Sequence, residues 1–186
     1  RLACDRADLF TAIASIAGVG YSEGIPAAEA DAGWPMGVVR RPDGDLIACD
    51  YHANRLWRID QEGILHTFAG DGVPGARGDG GPAAEARFFC PHDLSIDRQG
   101  NLYLSDLGNH AIRRIDAQTG VMTTAAGGAG EGAWEGDGGP ATQAKLNSPH
   151  ACRADAQGNL YIADRNSHVI RRVDGASGQI TTVAGN

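Results

Sequence analysis

The chain has 186 residues, with 16 Lys and Arg against 23 Asp and Glu and a formal net charge of −7. That balance excludes a basic surface for nucleic acid or anionic membrane, because both modes of binding rest on excess positive charge. With 42% hydrophobic residues, 27 glycines and 8 prolines, the composition points to short strands joined by tight turns. It argues against a helical bundle, a coiled coil or a disordered tail. No apolar run approaches the roughly 18 residues of a spanning helix. The start at Arg1, with neither methionine nor a signal-type apolar core, fits a processed or excised piece.

In chain order, a lead-in over residues 1–12 precedes an outer-type strand, Ile13-Ala14-Ser15-Ile16-Ala17-Gly18, and a connector that runs to residue 33. Three stretches then align without a gap. The first runs from Pro35-Met36-Gly37-Val38 through Gly44 and Asp50 to Arg58-Ile59-Asp60. The second runs from Pro91-His92-Asp93-Leu94 through Gly100 and Asp106 to Arg114-Ile115-Asp116. The third runs from Pro149-His150-Ala151-Cys152 through Gly158 and Asp164 to Arg172-Val173-Asp174. The three opening prolines are 56 and 58 residues apart, and the internal offsets are identical. Such a period marks a repeat architecture.

Each repeat reads as four short strands. After the proline, His92, Leu94 and Ile96 fall on one side of a half-buried strand. Asp-Gly or Gln-Gly before Asp or Asn supplies a tight turn. Leu102-Tyr103-Leu104 and Leu160-Tyr161-Ile162 form a buried second strand. A turn follows at Asp50, Asp106 or Asp164, whose carboxylate suits backbone amides two residues on. The third strands carry Trp57-Arg58, Arg113-Arg114 and Arg171-Arg172, with the arginine pairs alternating across the faces and salt-bridged or solvated. The fourth strands are Ile64 to Phe68, Val121 to Thr124 and Ile180 to Val183. Four antiparallel strands repeated radially describe blades of an all-β propeller. The expected divisions are 34–70, 91–127 and 149–186 for the blades, with connectors at 71–90 and 128–148.

The connectors repeat as well. Gly78-Asp79-Gly80-Gly81-Pro82-Ala83-Ala84 and Gly136-Asp137-Gly138-Gly139-Pro140-Ala141-Thr142 predict a glycine turn and one or two helical turns, with a degenerate copy at 22–30. One carboxylate per loop is far from a calcium site, and no lysine follows at P-loop spacing.

On these residues the chain resembles the NHL-repeat family, and the bacterial form of its pattern is nearly literal over residues 136–174. The resemblance implies a six-bladed ring, of which three four-stranded blades are visible. Three blades do not close. Either the remainder belongs to a longer chain, which is preferred, or a homodimer completes the ring. A weaker resemblance, to the propeller of peptidyl-α-hydroxyglycine α-amidating lyase, implies a metal role for His92 and His150. That enzyme holds zinc with histidines in a comparable Pro-His setting. It draws them from alternate blades, whereas His92 and His150 lie on adjacent ones.

Met36, His92 and His150 follow the blade-opening prolines and are the candidate ligand-binding residues of the channel mouth. Arg77, Trp134 and Glu135, on loops expected to border that mouth, complete the set. Zinc or another divalent metal on His92 and His150 is the cofactor reading. His110, His168 and Asn54 match one another and are expected to serve the turn. His52 and His66 lack counterparts. Cys4, Cys49, Cys90 and Cys152 show no metal or redox spacing and read mostly as small buried apolar groups, with one disulfide left open. No nucleophile triad, paired-carboxylate motif or nucleotide fingerprint is present, so no catalytic residue is assigned. The expected function is a ligand- or protein-binding module, with a metal-dependent lyase or hydrolase as the rival. The expected partner is a protein or small molecule at the propeller face, not nucleic acid, in an extracytoplasmic setting, secreted or periplasmic.

Overall fold

A computed structural model describes residues 34–128 and 130–185. The expected leading strand from Ile13 to Gly18, the degenerate connector at 22–30 and Cys4 lie outside the described residues. Those described form three four-stranded antiparallel sheets. The first contains β1 (Pro35–Arg40), β2 (Leu46–Asp50), β3 (Arg55–Ile59) and β4 (Leu65–Ala69). The second contains β5 (Pro91–Ile96), β6 (Leu102–Asp106), β7 (Ala111–Ile115) and β8 (Met122–Gly127). The third contains β9 (Pro149–Ala154), β10 (Leu160–Asp164), β11 (Val169–Val173) and β12 (Ile180–Gly185). Strands pair in sequence order, and β5 packs against both β1 and β9. The first strand of each sheet is therefore innermost and the fourth outermost, as in a propeller. Among the described residues no helix is long and apolar enough to cross a membrane.

The turns follow from side-chain chemistry. Asp97 Oδ1 accepts the amides of Gln99 and Asn101 at 2.9 Å, while Gly100 takes φ 86°. Asp155 does the same for Gln157 and Asn159. A carboxylate that holds its own turn open for the next strand is the Asx-turn device. The aspartates ending the second strands act over longer range than expected. Asp50 Oδ1 does take the local amides of His52 and Ala53. Asp106 and Asp164 reach instead to the connectors, accepting the amides of Phe89 at 2.8 Å and Asn147 at 2.7 Å.

Two core clusters lie between blades, and a third, of Ala48, Trp57, Ile59 and Leu65, lies within the first sheet. Ile47, Cys49 and Leu56 of the first sheet meet Leu94, Leu104 and Met122 of the second, with Phe88 of the connector wedged among them. Ile112 and Ala126 of the second meet Cys152, Ile162 and Ile180 of the third, with Leu146 in the wedge position. The helical segment of each connector is one 3-10 turn, Ala83–Glu85 and Ala141–Gln143, with Pro82 and Pro140 just before it.

The glycine loops pack on the outer strand of the blade that follows. Gly80 donates to Met122 O, Met122 donates back to Gly81 O, and Asp79 Oδ2 accepts the Thr124 amide at 3.1 Å. Asp137 takes the Thr182 amide in the same way, at 2.9 Å. An unpaired strand edge is thereby covered. The other oxygen of each carboxylate meets a buried arginine, Arg113 at 3.0 Å and Arg171 at 2.6 Å. Arg114 and Arg172, on the opposite face, pair with Asp116 and Asp174.

Candidate functional site

Each inner strand begins with a β-bulge. Pro35 and Gly37, Pro91 and Asp93, and Pro149 and Ala151 pair with consecutive residues of the second strand, which leaves Met36, His92 and His150 as the extra residues. A bulge re-aims the side chain it carries. It also explains why the alternation expected at His92, Leu94 and Ile96 stops at His92, the unpaired residue. Met36 is 45% exposed.

The two histidines stack. Their ring centroids are 3.6 Å apart at an interplanar angle of 44°, and His92 Nδ1 donates to the backbone carbonyl of His150 at 3.0 Å. A carbonyl only accepts, so His92 carries its proton on Nδ1 and leaves Nε2 with a lone pair. Burial is the largest influence holding both imidazoles below the ordinary histidine range; Asp93 pulls both up and Arg165 presses both down. At neutral pH the pair is uncharged.

The rings continue into the first blade. Tyr51 stands edge-on to His92 with centroids 6.4 Å apart, His52 edge-on to Tyr51 at 5.2 Å, and Trp34 edge-on to His52 at 4.9 Å. A hydrogen bond to the Cys90 thiol lifts the Tyr51 phenol above its usual range. Trp34 is 62% exposed. Five rings thus form an arc across the inner ends of three blades. Trp34 and Tyr51 escaped the sequence reading, and His52 was noted only as lacking counterparts, because none of the three matches a residue of the other repeats. Their one mark was that the pair after Asp50 is aromatic, where Leu107-Gly108 and Arg165-Asn166 stand in the other blades.

Arg77, Trp134 and Glu135 are not at this mouth. Trp134 Nε1 donates to Thr182 Oγ1 at 3.1 Å, on β12, the outermost strand of the sheet whose innermost strand carries His150. Three strand spacings of about 4.8 Å separate the two. Glu135 pairs with Lys145 at 3.0 Å and Arg77 with Asp71 at 3.2 Å. The expectation that the glycine loops border the mouth fails because the loops are drawn to the uncovered edges of β8 and β12.

The metal reading does not fit the residues present. Two imidazoles sharing a tetrahedral ion at about 2.0–2.1 Å hold their centroids about 5 Å apart; these are too close and are packed on each other. Among the described residues no group of three His, Cys, Asp or Glu is disposed to hold an ion. Cys49 and Cys152 are free thiols, pushed up by burial to about 12 and about 11, and are inert. Elemental analysis of protein purified without nickel or chelator is expected to give the same zinc content for the parent and for His92→Ala/His150→Ala. One equivalent present in the parent and lost in the variant would overturn this.

The model of the NHL repeat matches residues 88–115. NHL repeat-containing protein 2 of Gallus gallus is 34% identical over 82 residues, which is 44% of this chain and 11% of that protein. A probable peptidyl-alpha-hydroxyglycine alpha-amidating lyase of Caenorhabditis elegans is 29% identical over 86 residues, 45% of this chain and 23% of the relative. A solved protein of unknown function from Bacteroides thetaiotaomicron superposes with a TM-score of 0.63 at 23% identity, covering 73% of this chain and 34% of its own. The chain thus spans well under half the length of each. It carries an NHL repeat at residues 88–115, set within the second of three tandem four-stranded blades of a β-propeller.

Proposed function

We propose that the chain is a propeller-type binding module that holds a protein segment or small molecule against the ring arc at its inner mouth. The observation that carries this reading is the unbroken line of five rings from Trp34 to His150, with Met36 in the bulge position equivalent to those of His92 and His150. Imidazoles, a phenol and an indole present flat, weakly polar faces together with a few hydrogen-bonding atoms, as binding sites commonly do. A ligand with planar apolar or aromatic groups matches that surface. The rival reading, a metal-dependent lyase or hydrolase, draws on the likeness to the amidating lyase and lacks a chelating pair here.

A displayed library of aromatic-rich peptides panned on the immobilised chain tests it. Selected peptides are expected to lose about tenfold in affinity against Trp34→Ala/His92→Ala, the loss typical of an interface anchor. They should bind Trp134→Ala unchanged. Peptides that bind the mouth variant as tightly as the parent, or that fail only against Trp134→Ala, would refute the assignment.

A further inference from the structure

One ring present in the second and third blades is missing from the first. Ile47 of β2 pairs with Val39 and Arg58, and Tyr103 of β6 pairs with Ser95 and Arg114, at the same step of the ladder. The third blade has Tyr161 there. Tyr103 packs against the core shared by the second and third sheets, and its hydroxyl donates to Asp97 Oδ2 at 3.4 Å. Between the first and second sheets the shorter isoleucine leaves that space open.

A cavity of about 200 Å³ lies there, walled by Ile47, Phe68, Ile96, Leu102 and Ile115. Phe68 and Ala125 are the bulge residues of their fourth strands, and the larger Phe68 side chain lines the cavity without closing it. An apolar cavity of about 150 Å³ is enough to hold benzene. The polar wall changes sign between the blades. Arg41 lines the cavity at the position that Asp97 holds one blade later, so a group that only donates replaces one that accepts. Its guanidinium carbon is 5.7 Å from the Phe68 centroid, and Asp43 takes Nη2 at 3.0 Å, which leaves the fork with further N–H groups. Asp116 also lines the cavity, but Arg114 and the amides of Gln118 and Thr119 engage its carboxylate. The cavity sits where β1 and β5 end, whereas Met36 and His92 sit where they begin, so it is separate from the ring arc.

We propose that this cavity binds a single-ring aromatic carboxylate. The ring takes the space that Tyr103 fills one blade later, and the carboxylate meets Arg41. A guanidinium pairs with a carboxylate through charge-assisted hydrogen bonds, a stronger match than a neutral hydroxyl gives.

Benzoate titrated into the chain, followed by the carbon-13 methyl signals of isoleucine, tests this. The Ile96 and Ile115 methyls are expected to shift with a Kd of roughly 1 mM or tighter. Benzyl alcohol, the same ring without the charge, should bind about tenfold more weakly, and Arg41→Met should bring the two within about twofold. Ile47→Tyr puts the ring of the second blade into the cavity and should abolish binding; Arg41→Met decides the matter even if that variant does not fold. Trp34→Ala/His92→Ala should bind benzoate as the parent does. Methyls that do not move, equal affinity of the parent for the two probes, or a preference for benzoate that survives Arg41→Met would overturn the proposal. So would binding that persists in a folded Ile47→Tyr and is lost in Trp34→Ala/His92→Ala, which would place the ligand on the ring arc.

Discussion

Replacing Arg113 with methionine is expected to destabilise the chain by about 3–5 kcal/mol at neutral pH, chiefly by stranding Asp106. The guanidinium is buried, with Nε on Asp106 Oδ2 at 3.1 Å and Nη1 on both Asp79 Oδ1 at 3.0 Å and Thr124 Oγ1 at 2.6 Å. Burial is the largest influence on Asp106 and pushes its carboxyl from 3.8 to about 6, while Arg113 pulls it down. A folded-state value above the unfolded one means that the contribution of Asp106 to stability is fully present below about 3.8 and is lost as pH rises through about 6. Without Arg113 the carboxyl climbs further, so the deficit of the variant is largest near neutrality and shrinks towards about pH 4. Asp116 and Asp174, held at about 2 chiefly by backbone amides of their own turns, still contribute there. The acid-side cost of the two depressed histidines is common to parent and variant and cancels. Urea unfolding of the parent, Arg113→Met and Arg113→Met/Asp106→Asn checks this. The asparagine keeps an oxygen for the Phe89 amide and removes the charge, so it should recover most of the loss. A deficit that is the same at both pH values and untouched by Asp106→Asn would trace to packing alone.

Arg113 also marks where the sequence ceased to be legible. The strands and their turns could be read because alternation, Gln-Gly-Asn and Asx chemistry act over a few residues, and the three-fold repeat multiplies a weak local pattern. The alternation of Arg113 and Arg114 could be read too. That one of the two is buried could not, because its partner Asp79 lies on a connector 34 residues away and is aimed by a bond from the Thr124 amide of β8, 45 residues away. The same loops misled the placement of Arg77, Trp134 and Glu135. Their local chemistry is that of any turn, and only the uncovered edge of the next blade decides where they lie. In the first blade Trp57 stands where the other blades have arginine, and its Nε1 reaches Asp50 Oδ2 at 3.3 Å. One buried carboxylate is thus met by two different donors, an equivalence invisible without the fold. At the mouth, the repeat itself picked out His92 and His150, whereas Trp34, Tyr51 and His52 depart from it and had no register to betray them.

Phe88→Ala is expected to cost about 3–5 kcal/mol, the second large effect. The ring is wholly buried in the core between the first two sheets, with Gly70 of the first blade against it and Asn54 Oδ1 accepting the Cys90 amide two residues on at 3.0 Å. Truncation leaves a cavity that neither sheet can close, because each is held rigid by its own ladders. Phe88→Leu should cost markedly less, since the junction between the second and third blades is plugged by Leu146 in the same place. Cores of this kind tolerate a change of apolar shape better than a loss of volume. The deficit should also be local. Each blade meets the next through an inter-blade core with one connector residue wedged in it, as in a linear repeat array where neighbours carry most of the coupling. Amide hydrogen exchange in Phe88→Ala should therefore quicken throughout β1 to β4 while β9 to β12 keep their protection. Uniform loss of protection across all three sheets, or equal penalties for leucine and alanine at this position, would mean that the blades fold as one indivisible unit and that the wedge residues are ordinary core. A graded loss, falling away from the first blade, would establish the junction as the unit of stability.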